Sequence, residues 1–223
     1  GGGTPLSEAD GLQYLRDQGI PTVTFMRCQT PDEAAQACES FGGMPVVVKG
    51  CPTVATHKSE LGLVALHVSS PREAAAETTR MLGVMAELRL PHQGVLVAPM
   101  VKGIVEGLVG AHVDPVFGPV VLVGAGGKYV EALGDVQVLI PPFDESTAIA
   151  AIRRLRIAPI LAGVRGEPAA DVAAWARVAV ALADLMVREP RVRSVDLNPV
   201  LIGAATGEPS FGAIAVDSVV CLA

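Results

Sequence analysis

The stretch Val105-Glu106-Gly107-Leu108-Val109-Gly110-Ala111-His112-Val113-Asp114-Pro115-Val116-Phe117-Gly118-Pro119-Val120-Val121-Leu122-Val123-Gly124-Ala125-Gly126-Gly127 decides the fold. Two apolar, β-branched runs, 104–113 and 118–123, flank a short Pro-containing turn. They read as adjacent strands with no helix between them. A glycine loop follows, then Tyr129-Val130-Glu131, then another strand-like run over 136–140. This half therefore lacks the strict strand–helix alternation of a doubly wound sheet. Upstream of it the rhythm is different. Helix starts at Ser7 and at Thr30-Pro31, strand-like runs over 21–26, 46–49, 63–68 and 94–100, and a helical segment from Pro71 to about Leu88 give a βαβ-rich half. The expected fold is α+β (α/β) in two lobes. The boundary falls near 95–103, and a small ligand is expected in a cleft between the lobes.

Downstream, Phe143-Asp144 opens a helix towards Leu155, and Asp171 caps a longer one. The longer helix carries the stripe Trp175, Val178, Ala179, Leu182, Leu185 and Met186, a spacing that predicts a core face with Trp175 inside it. Strands are predicted over 192–196, 200–202 and 214–216. Residues 1–5, starting Gly1-Gly2-Gly3 without Met, read as a processing scar or linker; residues 6–100 read as the first lobe and 101–223 as the second.

Half of the 223 residues are hydrophobic and 18% are charged, which excludes a disordered chain. With 17 Lys and Arg against 23 Asp and Glu, net −6, the chain is a poor candidate for nucleic acid or an anionic membrane as partner. The apolar helical stretch 172–187 holds Arg177 and Asp184 and is too short to span a bilayer. No secretory signal opens the chain. Cys28, Cys38, Cys51 and Cys221 form no metal-like spacing and read as buried thiols in a reducing compartment, so a cytoplasmic protein is expected.

Chemistry has few places to reside. Gly127-Lys128-Tyr129 lacks the ending of a Walker A loop, and no GxGxxG, GxSxG or HExxH occurs. Lys49 ends a run of three valines, as either a snorkelling edge residue or a phosphate contact. His57 sits in the polar loop His57-Lys58-Ser59-Glu60-Leu61-Gly62, where it is either solvated or a phosphoryl acceptor. Asp196-Leu197-Asn198-Pro199 and Asp217 bring oxygen donors to strand ends. They read as capping groups or as Mg²⁺ ligands.

Seven stretches occur in a telling order: LSEAD with YLRDQGIP (6–21), MPVVVKG (44–50), THKSELG (56–62), GVLVAPMV (94–101), the decisive stretch 105–127, LAGVRGEP (161–168) and VDLNPVLI (195–202). Together they resemble the ATP-grasp domain, the β-subunit-like part, of ADP-forming (NDP-forming) acyl-CoA synthetases. More distantly they resemble the nucleotide-binding β subunit of succinyl-CoA synthetase. The resemblance covers about residues 6–218. It implies a two-lobed ATP-grasp fold, ATP/ADP and Mg²⁺ as cofactors, and a CoA-binding/ligase partner, as an α-like subunit or fused domains.

By the resemblance, Lys49 contacts nucleotide phosphate, and Val97, Ala98 and Met100 lie in the hinge strand whose backbone meets the adenine edge. Glu106 matches an acid at the nucleotide end of the cleft. Gly126 and Gly127 match close-approach glycines, with Lys128 beside them. Asn198 and Asp217 match the two Mg²⁺ ligands. His57 matches the histidine that carries a phosphoryl group between two active sites, and Arg165 an arginine of a GxRG loop. The implied reaction converts carboxylate, CoA and ATP to acyl-CoA, ADP and phosphate through a phosphohistidine. This chain alone is not expected to complete it. The family pattern is broken at Leu63, where a second glycine is usual, at Gly134, where a lysine is usual, and at Leu139, where an arginine is usual. Those losses keep open a catalytically degenerate regulatory domain, such as those fused in protein lysine acetyltransferases. A carboxylate–amine ligase shares the fold, but HKSELG and GVRGEP point away from it.

Overall fold

The computed structural model describes residues 3–53, 58–127, 134–164 and 166–223. The chain forms two compact units. One holds residues 5–10 and 23–101; the other holds the N-terminal stretch to residue 4, residues 11–22 and residues 102–223. The chain opens with β1 (Thr4–Pro5) and α1 (Glu8–Asp17). Ser7 caps α1, its Oγ accepting from the Asp10 N–H at 3.2 Å.

The first unit contains β2 (Met26–Cys28), α2 (Pro31–Ser40), β3 (Val46–Pro52), β4 (Val64–Val68), α3 (Pro71–Glu87) and β5 (His92–Pro99). Thr30 and Ser70 cap α2 and α3, and each helix has Pro in its first turn, where no N–H is needed. The sheet order is β2-β5-β3-β4, and every pair is antiparallel. The βαβ rhythm survives in direction but not in adjacency. β2 and β3 run parallel with β5 inserted between them, and β4 and β5 run parallel with β3 inserted. One face of the sheet carries Val46, Val48, Val95 and Val97, packed with Ala34 and Ala37 of α2 and Met81 and Met85 of α3. The period of two sends Val47 and Lys49 to the opposite face.

The strand expected over 21–26 is replaced by a single bridge at Thr22 and by β2, which starts four residues on at Met26. Pro21 brings no N–H to a ladder, and the chain passes from one unit to the other between Thr22 and Val23.

The second unit adds β6 (Val105–Asp114), β7 (Gly118–Ala125), β8 (Val136–Leu139), α4 (Glu145–Ile152), α5 (Ala158–Leu161), α6 (Val172–Arg188), β9 (Val192–Ile202), β10 (Ala213–Ala215) and β11 (Val219–Leu222). β6 and β7 form the hairpin that the decisive stretch predicts. Its turn is tied by Asp114 Oδ1, which accepts from the N–H groups of Val116 and Phe117 at 2.8 and 2.9 Å. The sheet runs β1-β11-β9-β6-β7-β8, with β10 also on β9. Asp144 and Asp171 cap α4 and α6 as expected. Helix α6 packs on β6, β7 and β9 and buries Trp175, Val178, Leu182 and Leu185. Each such aliphatic side chain contributes roughly 1.5–3 kcal/mol of transfer free energy.

The two strands expected over 192–196 and 200–202 are one continuous strand, β9, and β11 was not foreseen from the sequence. No helix among the described residues is long and apolar enough to cross a membrane.

Candidate functional site

Pro199 lies inside β9, a strand with neighbours on both sides, and it has no N–H to give a ladder. The sheet accommodates it with a bulge. Leu197 faces Val109 and Val200 faces Gly107, so Asn198 and Pro199 together oppose Leu108. Bulges of this kind re-aim side chains. Here the Asn198 Oδ1 accepts from the Gly127 N–H at 2.9 Å. The Gly126 N–H donates to the Glu106 carbonyl at 2.9 Å. Gly126 is required by space, and Gly127 by its left-handed backbone. A Cβ on Gly126 would strike the Gly107 carbonyl, and one on Gly127, at φ +79°, would strike the Glu106 carboxylate. The Val216 N–H donates to the Pro199 carbonyl at 3.2 Å, which holds Asp217 next to the same bulge. Thus Glu106, Gly126, Gly127, Asn198 and Asp217, all named from the sequence, are brought to one corner of the second unit.

Asp196, one of the strand-end oxygen donors but outside the ligand pair implied by the resemblance, joins them. It stands one strand period before Asn198, between Gly110 and Val219. Its carboxyl is pushed up, first by loss of water and second by the charge of Asp217. The alternation Asp196-Leu197-Asn198 was its only sequence signal. Carboxylates and an amide oxygen at one corner suit a hard cation. Asn198 Oδ1 gives one lone pair to Gly127 and retains a second. Among the described residues, no group of three or more His, Cys, Asp or Glu could hold a metal by itself. Mg²⁺ does not need one, because it keeps water and phosphate oxygens beside one or two protein ligands. The donors present fit that ion.

Lys49 belongs to the first unit. On β3 it faces Val64 and Leu96, and it is buried. Its ammonium pairs with Glu8 Oε1 of α1 at 2.6 Å, and the Lys58 ammonium pairs with Glu8 Oε2. Glu8 was missed from the sequence. An acid in the first turn of a helix is ordinary there, because it complements the helix dipole. Cys51, two residues after Lys49, has its thiol pushed up to about 12 by burial and then by Glu8.

In β5, Val97 is paired on both sides, to Met26 and Val48, and Ala98 pairs with Val47. The ladder ends at Pro99, after which the Met100 N–H donates to the Pro45 carbonyl at 2.8 Å. Two of the departures from the family pattern are packed in cores: Leu63 against Gly50, and Leu139 in β8. Next to the third, Gly134, Asp135 accepts from the N–H groups of Arg156 and Ile157 at 2.9 and 3.2 Å. His57, Lys128 and Arg165 lie outside the described residues.

The family model described as "ATP-grasp domain" matches residues 1–222. The chain is 39% identical over 215 residues to a trans-feruloyl-CoA synthase of an unknown prokaryotic organism, covering 96% of this chain and 30% of that protein. It is 34% identical over 228 residues to the beta subunit of ADP-forming acetate–CoA ligase II of Pyrococcus furiosus, covering 99% of this chain and 93% of that subunit. Among solved structures, it superimposes on the dinucleotide-forming acetyl-coenzyme A synthetase 1 of Ca. Korarchaeum cryptofilum, in complex with coenzyme A and Ca-AMPCP. That match has a TM-score of 0.90, with 26% identity and coverage of 99% and 94% of the two chains. The same protein in complex with coenzyme A and Mg-AMPPCP matches at a TM-score of 0.83, with 26% identity and coverage of 99% and 93%. The chain therefore spans under a third of the longest of these relatives and nearly all of the subunit-sized ones. It belongs to the ATP-grasp domain family, alongside the beta subunits of ADP-forming acetate–CoA ligases.

Proposed function

We propose that this chain is the nucleotide-binding, phosphoryl-transfer part of an ADP-forming acyl-CoA ligase. A CoA-binding and ligase partner completes it, either as an α-like subunit or as further domains of a longer chain. One observation carries the reading. The β9 bulge puts the Asn198 amide on the glycine loop, beside the carboxylates of Glu106, Asp196 and Asp217. A backbone-lined loop and oxygen donors on one corner suit a phosphate chain with its divalent ion.

In this reading Gly126 and Gly127 let the backbone approach the phosphates, and Lys49 supplies positive charge. Lys128 and Arg165 are further cations for the same chemistry. Asn198 and Asp217 hold Mg²⁺, which when bound offsets charge on the phosphate oxygens. The segment Val97, Ala98 and Met100 faces the adenine edge, and Glu106 marks the nucleotide end. The His57 imidazole is the nucleophile. Its nitrogen forms a bond to the terminal phosphorus as the bond to the ADP oxygen breaks, and ADP leaves. The phosphoryl group then passes to the partner's active site, where carboxylate and CoA become acyl-CoA and phosphate is released.

Labelled ATP with Mg²⁺ and the partner should leave an acid-labile phosphate on this chain, lost in His57→Ala together with turnover. Full turnover by His57→Ala would overturn the role of His57. A regulatory module without catalysis is favoured by one feature, the absence of cations at Gly134 and Leu139, and ATP binding without any phosphorylation would select it.

A further inference from the structure

Glu8 lies on the first turn of α1, and its side chain is 3% exposed. Both of its oxygens are engaged by ammonium groups, Oε1 by Lys49 of β3 and Oε2 by Lys58. The two lysines come from different places, a sheet strand and the turn that starts directly after His57 in the sequence. A buried carboxylate between two cations is weak evidence of a stabilising role. Ion pairs taken out of water give little net stability, and apolar residues of similar size often do better. The pairing matters for a phosphate-bearing ligand, since Lys49 is the proposed phosphate contact.

The same arrangement is used where a phosphate-binding lysine must be aimed. In protein kinases a strand lysine is held by a helix glutamate, and the pair must be in place for phosphoryl transfer. We infer that Glu8 is a positioning residue for nucleotide phosphates, acting through Lys49 and Lys58 rather than by touching the nucleotide. The inference deepens the nucleotide-binding reading and rests on it. Glu8 fixes the Lys49 ammonium at the strand end and ties the turn that follows His57 to the same point. Without the carboxylate, both ammonium groups lose the shared anchor that holds them at that point.

The test compares ADP, with Mg²⁺ present, against adenosine. A positioning role changes affinity only for the ligand that carries phosphates, whereas a general loss of structure lowers both. Glu8→Gln should weaken ADP binding roughly tenfold, the scale on which outer-shell partners act, and leave adenosine binding unchanged. Combined with Lys49→Met, it should add little to the loss from Lys49→Met alone, because one route is shared. Equal losses for ADP and adenosine, an unchanged or tighter ADP affinity, or full additivity would each overturn the inference. If Glu8→Gln does not fold, Glu8→Asp gives the same comparison with the charge kept and the reach shortened, and an unchanged ADP-to-adenosine ratio there would overturn it equally. A wild-type protein with no preference for ADP would instead overturn the nucleotide-binding reading, and this inference with it.

Discussion

Substituting Gly107 by Ala probes how the sheet of the second unit carries its site. Gly107 lies on β6, paired to Ala125 of β7 and Val200 of β9. A Cβ there would lie 2.6 Å from Trp175 Cζ2 and 2.7 Å from Cε2. Ordinary carbon contacts lie at about 3.5–4.0 Å, so the overlap is roughly 1 Å. Trp175 has no room to retreat, because it is fully buried among residues of α6 and the sheet. The strain falls on the ring or on β6, and overpacking of this kind costs about 1–3 kcal/mol. For a chain of this length that lowers the melting temperature by about 2–12 °C. The displaced strand also holds Glu106 and the Gly107 carbonyl, against which Gly126 packs. Thermal unfolding followed by circular dichroism reads the effect. Gly83→Ala is the control: it lies in α3 with nothing within 4 Å of an added Cβ, and Ala favours the helix. If Gly107→Ala melts no lower than the wild type, the close packing of Trp175 on β6 is wrong. Replacing Trp175 by Leu as well should recover part of the loss, since the two side chains compete for one space.

Two further outcomes follow from the first unit. Burial alone would raise the carboxyl of Asp10, but bonds from Gln93, Arg27 and Ser7 outweigh it and hold the group below its ordinary 3.8. A carboxyl depressed by folding adds stability above its unfolded value, and that contribution is lost as pH falls through the folded one. Arg27→Met should therefore move the Asp10 titration upward, read by NMR, and an unmoved titration would refute the pairing at 2.7 Å. Burial raises the Cys28 thiol to about 11 and the Cys51 thiol to about 12. Both should resist alkylation at pH 8 until denaturant is added, as judged by mass spectrometry of the modified peptides, and labelling of either in the folded protein would contradict their burial.

The parts legible in the sequence are those fixed by neighbours along the chain. Caps at Thr30, Asp144 and Asp171 give themselves away by residue type before an apolar period, and the β6–β7 hairpin by two apolar runs around a turn. The corner of Glu106, Gly126, Gly127 and Asn198 was reached through family likeness, and its spacing alone left capping open. What escaped is set by distant parts of the chain. Residues 197–199 separated two expected strands, and a strand with neighbours on both sides normally excludes a proline such as Pro199. Only the residue skipped opposite Leu108 lets β9 run through it. Glu8 looked like an ordinary first-turn acid because the lysines that bury it lie 41 and 50 residues away. Leu63 and Leu139 looked like lost functional positions, and the structure shows them packed in their cores.

The most direct measurement is a calorimetric titration of the chain with ATP and ADP, with and without Mg²⁺, repeated on Asn198→Ala. The account predicts saturable binding that needs Mg²⁺ and is lost or strongly weakened in the variant, since the amide anchors Gly127 and offers the ion a ligand. Binding that ignores Mg²⁺ and survives in Asn198→Ala, or no binding at millimolar nucleotide even with the CoA-binding partner present, would contradict it.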